Sequence, residues 1–82
     1  MEFKIISHGE YIEMDTLNLI KRYDLSGVYP KIIVASQHTY YVWLSESAYL
    51  DELFKTYEDA ESTCNYIRGL YYNIMGTWKA GG

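Results

Sequence analysis

Apolar and polar residues change period twice along this chain, and the changes mark its elements. Glu2-Phe3-Lys4-Ile5-Ile6-Ser7 alternates closely enough for a strand, and Tyr11-Ile12-Glu13-Met14 reads as a short second one. His8-Gly9 between them supplies a turn, because glycine tolerates positive φ. Asp15 or Thr16 then caps a helix through Tyr23, with Leu17, Ile20 and Tyr23 on one side and Gly27 just past its end. Leu17 and Leu19 also alternate, which suits an extended segment; the capping residues favour the helix.

After Pro30 the period returns to two. Lys31 to Ser36 is rich in β-branched residues, and Thr39 to Ser45 in β-formers generally, with only Gln37-His38 between them. This predicts a β-hairpin. Gln-His is not the Asn-Gly that a tight type I′ turn prefers, so a loop longer than two residues is expected. A polar turn through Glu46-Ser47 leads to an ambiguous stretch from Leu50. Leu53-Phe54-Lys55-Thr56 suits a third antiparallel strand, and Ser47 could instead cap a short helix. The strand is preferred because a helix start follows at once.

That start is the clearest local signal in the sequence. Thr56-Tyr57-Glu58-Asp59 is close to a capping box. Ala60, Cys64, Ile67, Tyr71 and Ile74 then recur at spacings of four and three, within about 80° of arc at 100° per residue. The helix is expected to end at Gly76, with Trp78 folding back over its last turn. Gly69 falls opposite the stripe, on the solvent side. Together these elements predict a single α+β domain in two layers. An antiparallel sheet of three to five strands has the long C-terminal helix packed on one face, and a shorter helix follows the N-terminal hairpin.

Composition narrows the function. The chain has 82 residues, 49% of them hydrophobic and 22% charged, as in an ordinary globular domain. Its formal charge is −4, and Glu46 to Glu61 holds six acids against the single base Lys55. Phosphate-directed binding of nucleic acid needs clustered Lys and Arg, so direct contact with nucleic acid is not expected. No apolar run approaches the roughly 18 residues of a membrane span. One cysteine, Cys64, excludes an internal disulfide and a cysteine-based zinc site, and a reducing cytoplasm is the expected setting. No basic stretch followed by an apolar one opens the sequence, so no secretory leader is expected.

Chemistry-bearing motifs are sparse. Cys64 lies within the buried stripe, where desolvation disfavours the thiolate. His8 and His38 fall in turns of separate hairpins, without the further ligands a metal needs. Neither G-x-G-x-x-G nor a Walker motif occurs. Asp51-Glu52 and Glu58-Asp59 read as solvated acids rather than acid–base pairs. No catalysis, cofactor or metal is expected.

What remains unusual is tyrosine, at ten residues. Tyrosine joins an apolar ring to a polar tip and suits surfaces that are wet when free and dry when bound. Alternation puts Tyr40, Val42 and Leu44 on one face of their strand, with Tyr41 and Trp43 on the other. The C-terminal helix covers one face and the 15–24 helix part of the second, but three full layers exceed what 82 residues can build. Tyr41 and Trp43, with Tyr66 and Tyr72 on the helix flanks, are therefore the expected contact residues of a non-catalytic protein-interaction module. Its partner would be another protein or a second copy. The alternative is a small acidic inhibitor of viral or mobile-element type. It would imitate nucleic acid through the Glu46–Glu61 acids, Asp51, Glu52 and Glu58 among them, with Tyr49 and Tyr57 beside them.

Overall fold

A computed structural model describes residues 2–81, with side chains described through Gly76. The order of elements is β1 (Glu2–Ser7), β2 (Glu10–Asp15), α1 (Thr16–Arg22), β3 (Lys31–Ser36), β4 (Thr39–Ser45), β5 (Ala48–Leu50) and α2 (Tyr57–Gly81). All five strands form one antiparallel sheet in the order β2-β1-β5-β4-β3. The expected two-layer α+β architecture is the one observed.

The β1–β2 turn has two residues, and both have positive φ, 52° at His8 and 79° at Gly9. A type I′ turn demands this, and its twist matches that of the flanking strands. His8 also ties this turn to the β4–β5 turn. Its N–H donates to the Ser47 carbonyl at 2.9 Å, and its Nε2 lies 3.2 Å from the Ser47 hydroxyl. The Gln37-His38 turn is likewise two residues, shorter than expected. His38 takes a φ of 60°, and the register with β4 shifts at a bulge between Val34 and Ser36.

Two further expectations are corrected in the middle of the chain. Asp15 caps α1, accepting the Asn18 N–H at 2.9 Å, but the helix stops at Arg22. Tyr23 leaves it in an extended conformation, so Gly27 is no cap. Leu19 rather than Leu17 joins Ile20 and Tyr23 in the core, because α1 rests on β1 and β2 along its Leu19–Ile20 side; Leu17 is 50% exposed. The third strand of the C-terminal unit is Ala48–Leu50, not Leu53–Thr56. Ala48 and Leu50 bury on one face of the sheet while Tyr49 points to the other, a period of two too short to stand out. Of the expected strand only Phe54 pairs, bridging Tyr40.

Between α1 and β3 the chain crosses the helical face from one sheet edge to the other. Leu25 buries completely in this crossing. From α2, Arg68 Nη2 donates to the Pro30 carbonyl at 3.1 Å, and Tyr72 Oη to the Ser26 carbonyl at 2.8 Å. Asp24 accepts the Ser26 hydroxyl at 2.6 Å and the longer Tyr71 hydroxyl at 3.4 Å. These bonds, led by the Ser26 hydroxyl, hold the Asp24 carboxyl below its ordinary value.

Thr56 caps α2, its hydroxyl accepting the Asp59 N–H at 3.1 Å while Glu58 and Asp59 fill the acidic first turn. Ala60, Cys64 and Ile67 are buried as the spacing predicts, with Tyr71 and Ile74 at the rim. The helix does not end at Gly76 but runs to Gly81. One glycine costs a helix only about 1 kcal/mol relative to alanine, and no proline follows it. The side chain of Trp78 lies outside the described residues.

α2 packs on β3 and β4, α1 on β1 and β2, and the two helices touch. Both therefore occupy the same face, and α1 does not reach the second. The core is the layer between, with Ile5, Leu19, Leu25, Val42, Leu44 and Ile67 fully buried.

Two substitutions on α2 are expected to act in opposite directions in urea unfolding. Gly69 is exposed with open space at its Cβ position, so Gly69→Ala should stabilise by about 0.5–1 kcal/mol. Thr56→Ala should destabilise by about 1 kcal/mol through loss of the cap. A destabilising Gly69→Ala would contradict the exposed placement of that face.

Candidate functional site

The face of the sheet turned away from both helices carries a row of large side chains set by strand register. Tyr11 on β2 lies opposite Ile6 on β1, Ile6 opposite Tyr49 on β5, Tyr49 opposite Trp43 on β4, and Trp43 opposite Lys31 on β3. Tyr41 and Ile33, paired with each other, extend the row on the β4–β3 side. With neighbouring strands about 4.8 Å apart, the row crosses about 19 Å of sheet.

Its middle is aromatic. The Tyr49 ring stands 4.8 Å from Trp43 at a tilt of 31°, and 5.5 Å from Tyr41 nearly edge-on. Such pairs contribute about 0.5–1.5 kcal/mol each beyond the area they bury. Tyr41, Trp43 and Tyr49 are half-buried, and among the described residues no second layer lies above them. At the β3 end, Trp43, Lys31, Ile33, Tyr29 and Glu46 line a shallow open pocket of about 280 Å³. That is room for one large apolar side chain under a rim with one cation and one carboxylate.

The β2 end is acidic. Tyr11, 51% exposed, donates its hydroxyl to Glu13 Oε1 at 2.6 Å. This bond to a carboxylate pushes the Tyr11 pKa up to about 12, with smaller contributions from partial desolvation and from the charges of Glu13, Asp51 and Glu2. Three acids thus act on one tyrosine; Lys4 lies opposite Glu13 in the register, and Lys21 and Arg22 line a groove with Glu13 at the β2 edge. The face runs from acidic at β2, through aromatic, to Lys31 at β3.

The structure divides the contact residues expected from the sequence. Tyr41, Trp43 and Tyr49 come together on the open face, and Asp51 lies near its acidic end. Tyr66, Tyr72 and Tyr57 belong to α2, on the far side of the sheet. Tyr72 holds the Ser26 carbonyl, as described, although its ring is half-exposed. Tyr57 meets Tyr40 edge-on at 6.1 Å. Tyr66 lines a surface concavity with Phe3, Leu50 and Thr63. Glu52 lies with Asp59 and Lys55 beside another open concavity, and Glu58 is exposed in the first turn of α2. Tyr11, Ile6, Ile33 and Lys31 belong to the face and were not singled out from the sequence. Their signal was alternation in β1, β2 and β3, which becomes informative only once the strand order is known.

Other chemistry-bearing side chains sit apart from this face. Burial pushes the Cys64 thiol up, with Arg68 pulling weakly the other way; the nucleophilic thiolate is thereby disfavoured. A groove of about 550 Å³ between β2 and α1 is lined by Ile12, Met14, Asn18, Lys21, Arg22 and one carboxylate, Glu13. Among the described residues, no group of three His, Cys, Asp or Glu side chains is placed to hold a metal ion. No described helix is long and apolar enough to cross a membrane. No family model matches the chain, and neither does any curated protein or any solved structure, so the reading of this surface rests on its own residues.

Tyr11 offers a direct check on the geometry of the acidic end. The difference in ultraviolet titration between the protein and its Tyr11→Phe variant should show a phenol ionising near pH 12. Glu13→Gln should bring that phenol back towards the ordinary value of 10.0. A raised folded-state pKa favours the neutral phenol. Its contribution to stability is therefore complete below pH 10 and lost as pH rises through about 12. A difference titration centred near pH 10 would contradict the Tyr11–Glu13 contact.

Proposed function

We propose that this chain is a non-catalytic protein-interaction module that binds through the open face of its sheet. The observation carrying this reading is the unbroken row Tyr11–Ile6–Tyr49–Trp43 with Tyr41 and Ile33 beside it, on a face that neither helix covers. Large apolar patches are rare on proteins that act alone, and tyrosine and tryptophan dominate binding hot spots. Charge specifies the partner further. Glu2, Glu13 and Asp51 surround one end of the row, so the fitting partner is a protein surface with an apolar centre and basic groups over the β2 end. The pocket at Trp43 accepts one of its apolar side chains.

The alternative of an acidic inhibitor imitating nucleic acid has less support. Its acids are carried by three separate segments: Glu46 in the β4–β5 turn, Asp51 and Glu52 after β5, and Glu58 and Asp59 where they complement the helix dipole. A mimic's binding would weaken steeply with salt, whereas an aromatic interface responds little.

The test is a comparison of variants in capture from the native host. The protein should retain a partner that the double variant Tyr41→Ser/Trp43→Ser loses, at unchanged far-ultraviolet circular dichroism. Tyr66→Ser, on the far side of the sheet, should retain it. Equal retention by the double variant would overturn the assignment, and loss in moderate salt alone would favour the acidic mimic.

A further inference from the structure

The two edges of the sheet are unlike. β2 carries Glu10, Glu13 and Asp15, and charge along an edge keeps a second strand from pairing there. β3 reads Lys31-Ile32-Ile33-Val34-Ala35-Ser36, with one charge at its first position, and its Val34 is 62% exposed.

The hydrogen-bonding parity of β3 follows from its neighbour. Tyr40 N–H donates to the Phe54 carbonyl at 2.8 Å, and the Tyr40 carbonyl accepts the Phe54 N–H at 2.9 Å. The backbone groups of Tyr40 therefore point away from β3. Opposed residues of an antiparallel ladder alternate between bonded and non-bonded pairs. Val34, opposite Tyr40, accordingly turns its N–H and carbonyl to the outer edge, and so does Ile32, opposite Val42. Among the described residues, no backbone bond reaches Ile32 or Val34 from beyond the edge.

We infer that a second copy of this chain pairs its own β3 antiparallel against this edge, about a two-fold axis passing at Ile33. Ile32 of each copy then lies opposite Val34 of the other, and the outward groups of these residues exchange four hydrogen bonds. Ile33 meets its counterpart at the non-bonded position, where Cα atoms approach to about 4.5 Å. Lys31 falls opposite Ala35, so no like charges face each other. The exposed Val34 side chain gains an apolar neighbour, and the bulge beyond Val34 ends the ladder. Such self-pairing is isologous and closes on itself. It gives one continuous sheet with all helices on one side and both aromatic faces on the other. The inference concerns the edge and not the open face, and each holds or fails without the other.

Sedimentation equilibrium decides it. The protein should weigh twice its chain mass of 9.6 kDa. Val34→Pro removes one outward donor, at an edge position where proline is tolerated. It should raise the dissociation constant at least about tenfold while preserving the far-ultraviolet spectrum. Val34→Lys, which keeps the backbone donor, should weaken the pair as well. Tyr41→Ser/Trp43→Ser should leave the doubled mass in place. A wild-type mass of 9.6 kDa, which leaves the edge single or open to another protein's strand, would overturn the inference. So would a doubled mass that survives both Val34 variants, or one that Tyr41→Ser/Trp43→Ser abolishes.

Discussion

The pairing of β1 with β5 is the contact on which the remaining structure depends. It is only three residues long, Ile5 with Leu50, Ile6 with Tyr49 and Ser7 with Ala48, yet it joins an N-terminal hairpin to a C-terminal meander. Everything across the sheet inherits its phase. Ile5 and Leu50 enter the core together, and Ile6 and Tyr49 leave it together. A slip of one residue would send every side chain of one half to the wrong face. The bonds between His8 and Ser47 sit at the end of this pairing and tie its two turns, which holds the register from outside the ladder.

From that register follows a second constraint, the one-sidedness of the molecule. α1 and α2 are both needed to cover the core face, because the crossing from β2 to β3 spans the whole sheet and carries Leu25 down into the core. Arg68, Tyr71 and Tyr72 are spent holding that crossing in place. No helix is left for the opposite face, so its aromatic residues shelter one another. The proposed contact surface is thus a consequence of how a short chain distributes its cover.

Much of this was legible in the sequence, for reasons that differ by element. α2 announced itself through its cap at Thr56 and five apolar positions at helical spacing. The β3–β4 hairpin did so through two dense runs of β-formers. β5 was missed because three residues cannot display a period, and a stronger apolar pair, Leu53-Phe54, lay just beyond. α1 ends at its C-cap Tyr23 much as expected, but without a glycine cap, because Tyr23 and Leu25 turn into the core beyond it, which is a tertiary demand rather than a local one. The same distinction governs the site. Tyr41 and Trp43 were readable from alternation within one strand. Tyr11 and Ile6 join them only through β1–β5 pairing between residues more than forty positions apart, and Tyr72 proved to have a partner in the crossing loop that no helical wheel records. The aromatic surface is accordingly narrower than tyrosine content suggests, and it lies on one side.

Residue-by-residue accessibility in the free protein tests this arrangement most directly, using NMR relaxation enhancement by a soluble paramagnetic probe. Side chains of Tyr11, Ile6, Tyr49 and Trp43 should broaden strongly, while Val42 and Leu44, on the opposite side of the same sheet, should be protected. Protection of Tyr49 and Trp43 in the free protein would mean that another segment covers the face, and would contradict the account.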